Sequence, residues 1–131
     1  LRKPTGELWI PRRTADKKYA PLGLDMGVAG HVTSGDTYED TLVREAEEEL
    51  GLRVPLAAWR FLGSVTPKDG VAAFEHVYEL TVTEAPNFNR DDFVEYLWLH
   101  PREVLERLAK GDTAKSDLPV LINRFYSADL R

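Results

Sequence analysis

The stretch that most constrains this chain runs from Gly30 to Leu52, GHVTSGDTYEDTLVREAEEELGL. Between Glu45 and Glu49 four of five consecutive positions are carboxylates, on a segment whose apolar spacing is helical. At 100° per residue Glu45, Glu48 and Glu49 share an arc of about 100°. Leu42, Val43, Ala46 and Leu50 fill the next arc, so the acidic stripe borders the buried one and faces a cleft edge. Like charges three and four residues apart cost a few tenths of a kcal/mol each, and more where water is scarce. A multivalent cation reverses that cost. Clustered hard oxygen ligands suit Mg²⁺, with Mn²⁺ the alternative.

Length and charge narrow the classes. A chain of 131 residues is one domain, 1–131, large enough to bury a core without staples. It has no cysteine, which rules out disulfides and thiolate metal sites and gives no sign of an oxidising compartment. With no apolar run of about 20 residues, a membrane span is not expected and a cytoplasmic location is. The net charge of −5 argues against binding a nucleic-acid polymer. It would also repel a polyphosphate, unless metal ions at the acidic stripe offset it. The chain opens on Leu1, and its first segment reads as the tail of a strand that is expected to begin upstream.

In order along the chain, Pro4–Glu7 is a turn, and Leu8-Trp9-Ile10 a short strand ending in Pro11-Arg12-Arg13. Alternation places Leu8, Ile10 and Arg12 on one face and Trp9 and Arg13 on the other. Arg12, Arg13, Lys17 and Lys18 form a compact basic cluster, either a clamp for phosphate oxygens or a set of solvated loop charges. Within it, Arg13 and Lys17 stand slightly ahead. Leu24–Val32 reads as a strand broken by Gly27 and Gly30, and His31 in it as a packed side chain rather than a ligand. Asp36 or Thr37 caps a helix that runs to about Leu50 and stops at Gly51. Further strands are predicted over Arg60–Val65, Val71–Thr83 and Val94–Leu99, with a loop at Thr66–Gly70. Amphipathic helices are predicted over Pro101–Lys110 and from Ser116 to Tyr126. This pattern supports an α/β or α+β fold.

The acidic stretch resembles the Nudix hydrolase box: G, five residues, E, seven residues, then R-E-U-x-E-E-x-G-U with U apolar. Gly30 opens it, and Asp36 stands at the first acidic position, one methylene shorter than the usual Glu. Arg44, Glu45, Ala46, Glu48, Glu49, Gly51 and Leu52 complete it. The resemblance implies an α/β/α sandwich with a mixed sheet, and cleavage of a diphosphate bond in a nucleoside diphosphate or its derivative. It implies metal held by Glu45, Glu48, Glu49 and the carbonyl of Gly30, with Glu45 as ligand or base, and Arg44 pairing with a box carboxylate. Glu47 points away from the arc. The general base of such enzymes varies in position, and Glu75 and Glu95 are the candidates outside the box. A homodimer is common in this family.

Residues Leu8 to Leu52 resemble more closely the Nudix branch that shares its layout with isopentenyl-diphosphate isomerase. Isomerases of that group use an acid–base cysteine, which this chain lacks, so a hydrolase is the expected activity. The competing expectations are a non-catalytic sensor of a diphosphate ligand and, less favoured, an isoprenoid diphosphate isomerase. Trp9, Tyr19, Phe74, Tyr78 and Trp98 are rings that could stack on a base, though each also suits core packing.

Overall fold

The computed structural model describes residues 1–27 and 35–131. Among these residues, four strands and three helices follow one another as β1 (Leu8–Arg13), α1 (Tyr38–Leu50), β2 (Arg60–Val65), β3 (Glu75–Glu79), β4 (Phe93–Leu99), α2 (Pro101–Ala109) and α3 (Asp117–Phe125), with short 3₁₀ turns between. β1 pairs antiparallel with β4, Trp9 opposite Trp98, and β2 pairs antiparallel with β3, Phe61 opposite Tyr78. Outside these strands, isolated parallel bridges join Arg2 to Thr81 and Leu24 to Ala114.

Strand alternation sets the layers. On one face of β1, Leu8 and Ile10 pack with Val104 of α2 and with Leu118 and Ile122 of α3. On the other face Trp9 packs with Leu50 of α1 and Phe93. β2 and β3 divide in the same way. Val65 and Val77 meet Leu121 and Phe125 of α3, while Tyr78 joins Ala46 of α1 and Trp59. Helices therefore cover both faces of the strands, which is the α/β/α layout expected.

Local chemistry explains the boundaries of α1. Thr37 is its N-cap: the Thr37 hydroxyl accepts from the Asp40 N–H at 3.0 Å, and the Asp40 carboxylate accepts from the Thr37 N–H at 3.3 Å, a reciprocal capping box. Gly51 ends the helix at φ 63°, its N–H donating to the Glu47 carbonyl, in the left-handed conformation glycine adopts without strain. Pro101 starts α2 at a position where no N–H is needed.

Two strand expectations need correction. The strand expected over Val71–Thr83 is ordered as a strand only from Glu75 to Glu79. Its partner β2 is six residues long and carries an irregularity between Phe61 and Gly63, so the flanking alternation has no ladder to join. Of the strand expected over Leu24–Val32, Leu24 makes only isolated bridges, and residues 28–34 lie outside those described. The Ser116 side chain makes no capping bond to α3, although the helix begins after it as expected.

Candidate active site

A cleft runs between the two strand pairs and α1. Its wall includes Trp9, Arg13, Lys17, Tyr38, Thr41, Leu42, Glu49, Phe74, Glu75, His76, Tyr78 and Asp117. Tyr38, Leu42, Glu45 and Glu49 fall within about 60° of one another around α1, so the turn-to-turn spacing that partly buries Leu42 also brings Glu49 to the cleft wall, with Glu45 one turn before it. Glu48 lies at the edge of this face and is exposed, as is Glu47.

The carboxylates are crowded. Glu45 is held above the usual carboxylate range, first by burial and then by the charge of Glu48; Arg44 opposes the rise and Asp92 adds to it. One carboxylate oxygen of Glu49 is fully buried. Arg44 donates to Asp36, eight residues back, and stands 3.9 Å from Glu45, so it links the first acidic position of the box to its core. Asp92 is a member the sequence did not single out. It comes from the loop before β4, accepts from Lys17 Nζ at 3.0 Å, and lies close enough to act on Glu45. The same loop is pinned to α1 by the Asn89 N–H donating to the Glu49 carbonyl at 2.7 Å. Nothing in its run of Asn, Arg and Asp distinguishes Asp92 from its neighbours.

The basic residues are already partnered. Arg13 Nη1 donates to the buried Asp25 at 2.7 Å, and its Nε donates to the Tyr19 carbonyl. Lys17 is on Asp92. Arg13 and Lys17 both line the cleft. Arg12 lies on the opposite face of β1, where it donates to Asp112, Glu95 and the Leu22 carbonyl. Glu95 is engaged there by Arg12, across the strand from Trp9 and α1. Glu75 lines the cleft from the α3 side. Its carboxyl is pushed up to about 7 by burial and by the neighbouring Asp117, with Lys115 opposing and Asp25 adding. Asp117 is itself buried, and its Oδ1 has no donor among the described residues; a proton carried by Glu75 resolves the contact between two carboxyl groups. Gly30 and His31 lie outside the described residues. Among those described, no three acidic or histidine side chains converge tightly enough to hold an ion by themselves.

The sequence and fold have close counterparts. The family model of the Nudix domain matches residues 1–119. An uncharacterized Nudix hydrolase of a Nostoc species is 50% identical over 93% of this chain and 73% of its own length. A crystal structure of a Deinococcus radiodurans protein superposes with a TM-score of 0.89 at 44% identity, covering 95% of this chain and 78% of that one. An isopentenyl-diphosphate Δ-isomerase of Citrobacter koseri is 30% identical over 88% of this chain and 67% of its own length. A box of fixed spacing on α1, a domain match across nine-tenths of the chain and a superposable fold together place the protein in the Nudix hydrolase family.

Proposed function

We propose that the protein is a divalent-metal-dependent hydrolase that splits the diphosphate bond of a nucleoside diphosphate or a derivative of one. The observation that carries this reading is the crowding on one face of α1, where Glu45 is driven above its ordinary range by burial and by Glu48, with Asp92 adding to the strain. Carboxylates held together against their own repulsion make sense when a cation joins them.

The donors fit Mg²⁺ or Mn²⁺: they are hard oxygens, they recur one turn apart, and one is already stripped of water. Glu48 and Glu49 would hold the ion, with Glu45 as a third ligand or as base, and the Gly30 carbonyl is the backbone donor the family implies. Bound metal supplies neutralisation of the phosphate oxygens and acidification of a water. The chain's own residues do the rest. Arg44, held on Asp36, orients the start of the acidic stripe. Arg13 and Lys17 present cationic groups in the cleft, each balanced by an aspartate that a phosphate would compete with. Glu75, in the cleft with its carboxyl pushed up by burial and by Asp117, is better suited to take a proton than Glu95, which is tied to Arg12.

No observation favours a non-catalytic sensor. The isomerase reading has the similarity to the Citrobacter koseri enzyme in its support, and against it the absence of any cysteine. Incubation with nucleoside diphosphates and, separately, isopentenyl diphosphate, each with Mg²⁺, tests the reading. Release of phosphate or nucleoside monophosphate is expected; isomerised product without hydrolysis would overturn it.

A further inference from the structure

The β2–β3 pair and the start of α1 hold a group of aromatic rings that the core does not use up. His76 and Tyr38 are stacked, with ring centroids 3.9 Å apart and planes at 17°. Phe61 stands edge-on to His76 at 5.5 Å and packs on Tyr78 at 5.2 Å. Phe74 is 66% exposed and Phe61 52%. Phe61 stands at the surface beside the stacked pair, and Phe74, two residues before His76 on the same cleft wall, adds a second exposed ring, so apolar ring surface is left open to a ligand.

The rings are also oriented in advance. Glu39 accepts from the Tyr78 hydroxyl, and its carboxylate lies 3.6 Å from His76 Nδ1. One carboxylate therefore limits the rotation of two rings, which reduces the ordering cost of binding against them. Tyr38, Phe74, His76 and Tyr78 line the same cleft as Glu49. Tyr38 shares its face of α1 with Glu45, seven residues on, a rise of about 10 Å. A ribose and a diphosphate bridge a gap of that order.

We propose that Phe74 and the His76–Tyr38 stack form the seat for the planar base of the substrate, placing its diphosphate against the Glu45 turn of α1. This rests on the diphosphate-hydrolase reading above. The seat offers ring faces and, in Glu39, a carboxylate already spent on Tyr78 and His76. It therefore selects diphosphates that carry a base over those that do not, and discriminates little among the bases, because every base has a face to stack.

The test is calorimetric titration of two non-hydrolysable probes in the presence of Mg²⁺: α,β-methylene adenosine diphosphate, and base-free methylenediphosphonate. For Phe74→Ala, an exposed position whose truncation spares the core, the affinity for the nucleotide probe should fall about tenfold and that for methylenediphosphonate should stay unchanged. Phe74→Trp should restore the nucleotide affinity, and His76→Ala should repeat the selective loss. Unchanged nucleotide affinity in Phe74→Ala and His76→Ala overturns the proposal, as does an equal loss for both probes. Conversion of a dimer to a monomer by Phe74→Ala with nucleotide affinity intact also overturns it, since the rings would then be a subunit contact. Ring-dependent nucleotide binding with no turnover of any nucleotide supports the seat and overturns the hydrolase reading instead.

Discussion

Arg12 forks onto Asp112, its two terminal nitrogens donating at 3.0 and 3.1 Å to the two carboxylate oxygens. Arg107 reaches the same carboxylate at 3.2 Å. The pair ties β1 to the turn after α2, and both side chains are largely buried. Asp112 is held down to about 2, chiefly by the Arg12 hydrogen bonds. A carboxyl with a depressed folded value contributes stability that is present above its ordinary value and is lost as pH falls toward the folded one. Asp112→Asn should therefore cost about 1–3 kcal/mol at pH 7, and the difference from wild type should shrink below about pH 4. Denaturant unfolding at several pH values measures it. Arg12→Ala should likewise lower stability and leave the KM for the diphosphate unchanged.

Glu75 and Asp117 make the opposite prediction. Folding raises the Glu75 carboxyl from 4.5 to about 7, so the folded state binds its proton more tightly than the unfolded chain does. This contribution is full below about pH 4.5 and is lost as pH rises through 7. Glu75→Gln cannot ionise and can donate to Asp117. It should match wild type in stability near pH 5 and exceed it by roughly 1 kcal/mol at pH 8, after allowance for solvent screening. Thermal unfolding at the two pH values decides this, and a variant less stable than wild type at pH 8 would contradict it.

Gly51 should be strained by any side chain. Its φ of 63° and a Cβ that would stand 3.2 Å from the Asn87 carbonyl oxygen combine backbone strain with contact against the loop that carries Asp92. Gly51→Ala should cost about 1 kcal/mol or somewhat more, measured by chemical denaturation. It should also reduce turnover by shifting the end of α1.

Much of this fold can be read along the chain because its signals are local. Thr37 and Gly51 bracket α1, the two faces of β1 follow from Leu8-Trp9-Ile10, and the stripes of Val104 and Leu108 and of Leu118 and Ile122 mark α2 and α3. The length of β3 could not be read in this way. The alternation of Val71–Thr83 continues on either side of Glu75–Glu79, but a strand needs a paired neighbour, and where the pairing stops is decided by β2. The same division holds at the site. Helical spacing brings Glu45 and Glu49 to one face, whereas the partners of the basic residues come from far along the chain. Asp92 meets Lys17 across 75 positions and Asp112 meets Arg12 across 100. Neither aspartate carries a local pattern, so a cluster that reads as either a phosphate clamp or solvated loop charges folds, at Arg12, Arg13 and Lys17, into ion pairs.

Metal binding should show in stability as well as in activity. Relief of repulsion among Glu45, Glu48 and Glu49 predicts that Mg²⁺ at a hundred times its Kd stabilises the protein by about 2.7 kcal/mol. The effect should disappear in the double variant Glu48→Gln, Glu49→Gln. Thermal scans with Mg²⁺ and with chelator check this.

The most direct test of the account is the rate of nucleoside diphosphate hydrolysis with saturating Mg²⁺ in wild type, Glu48→Gln and Glu49→Gln. Turnover is expected in the wild type, with a loss on the order of a hundredfold or more in each variant, since each removes a charge that holds the ion against the reacting phosphate. Full turnover in both variants would contradict it.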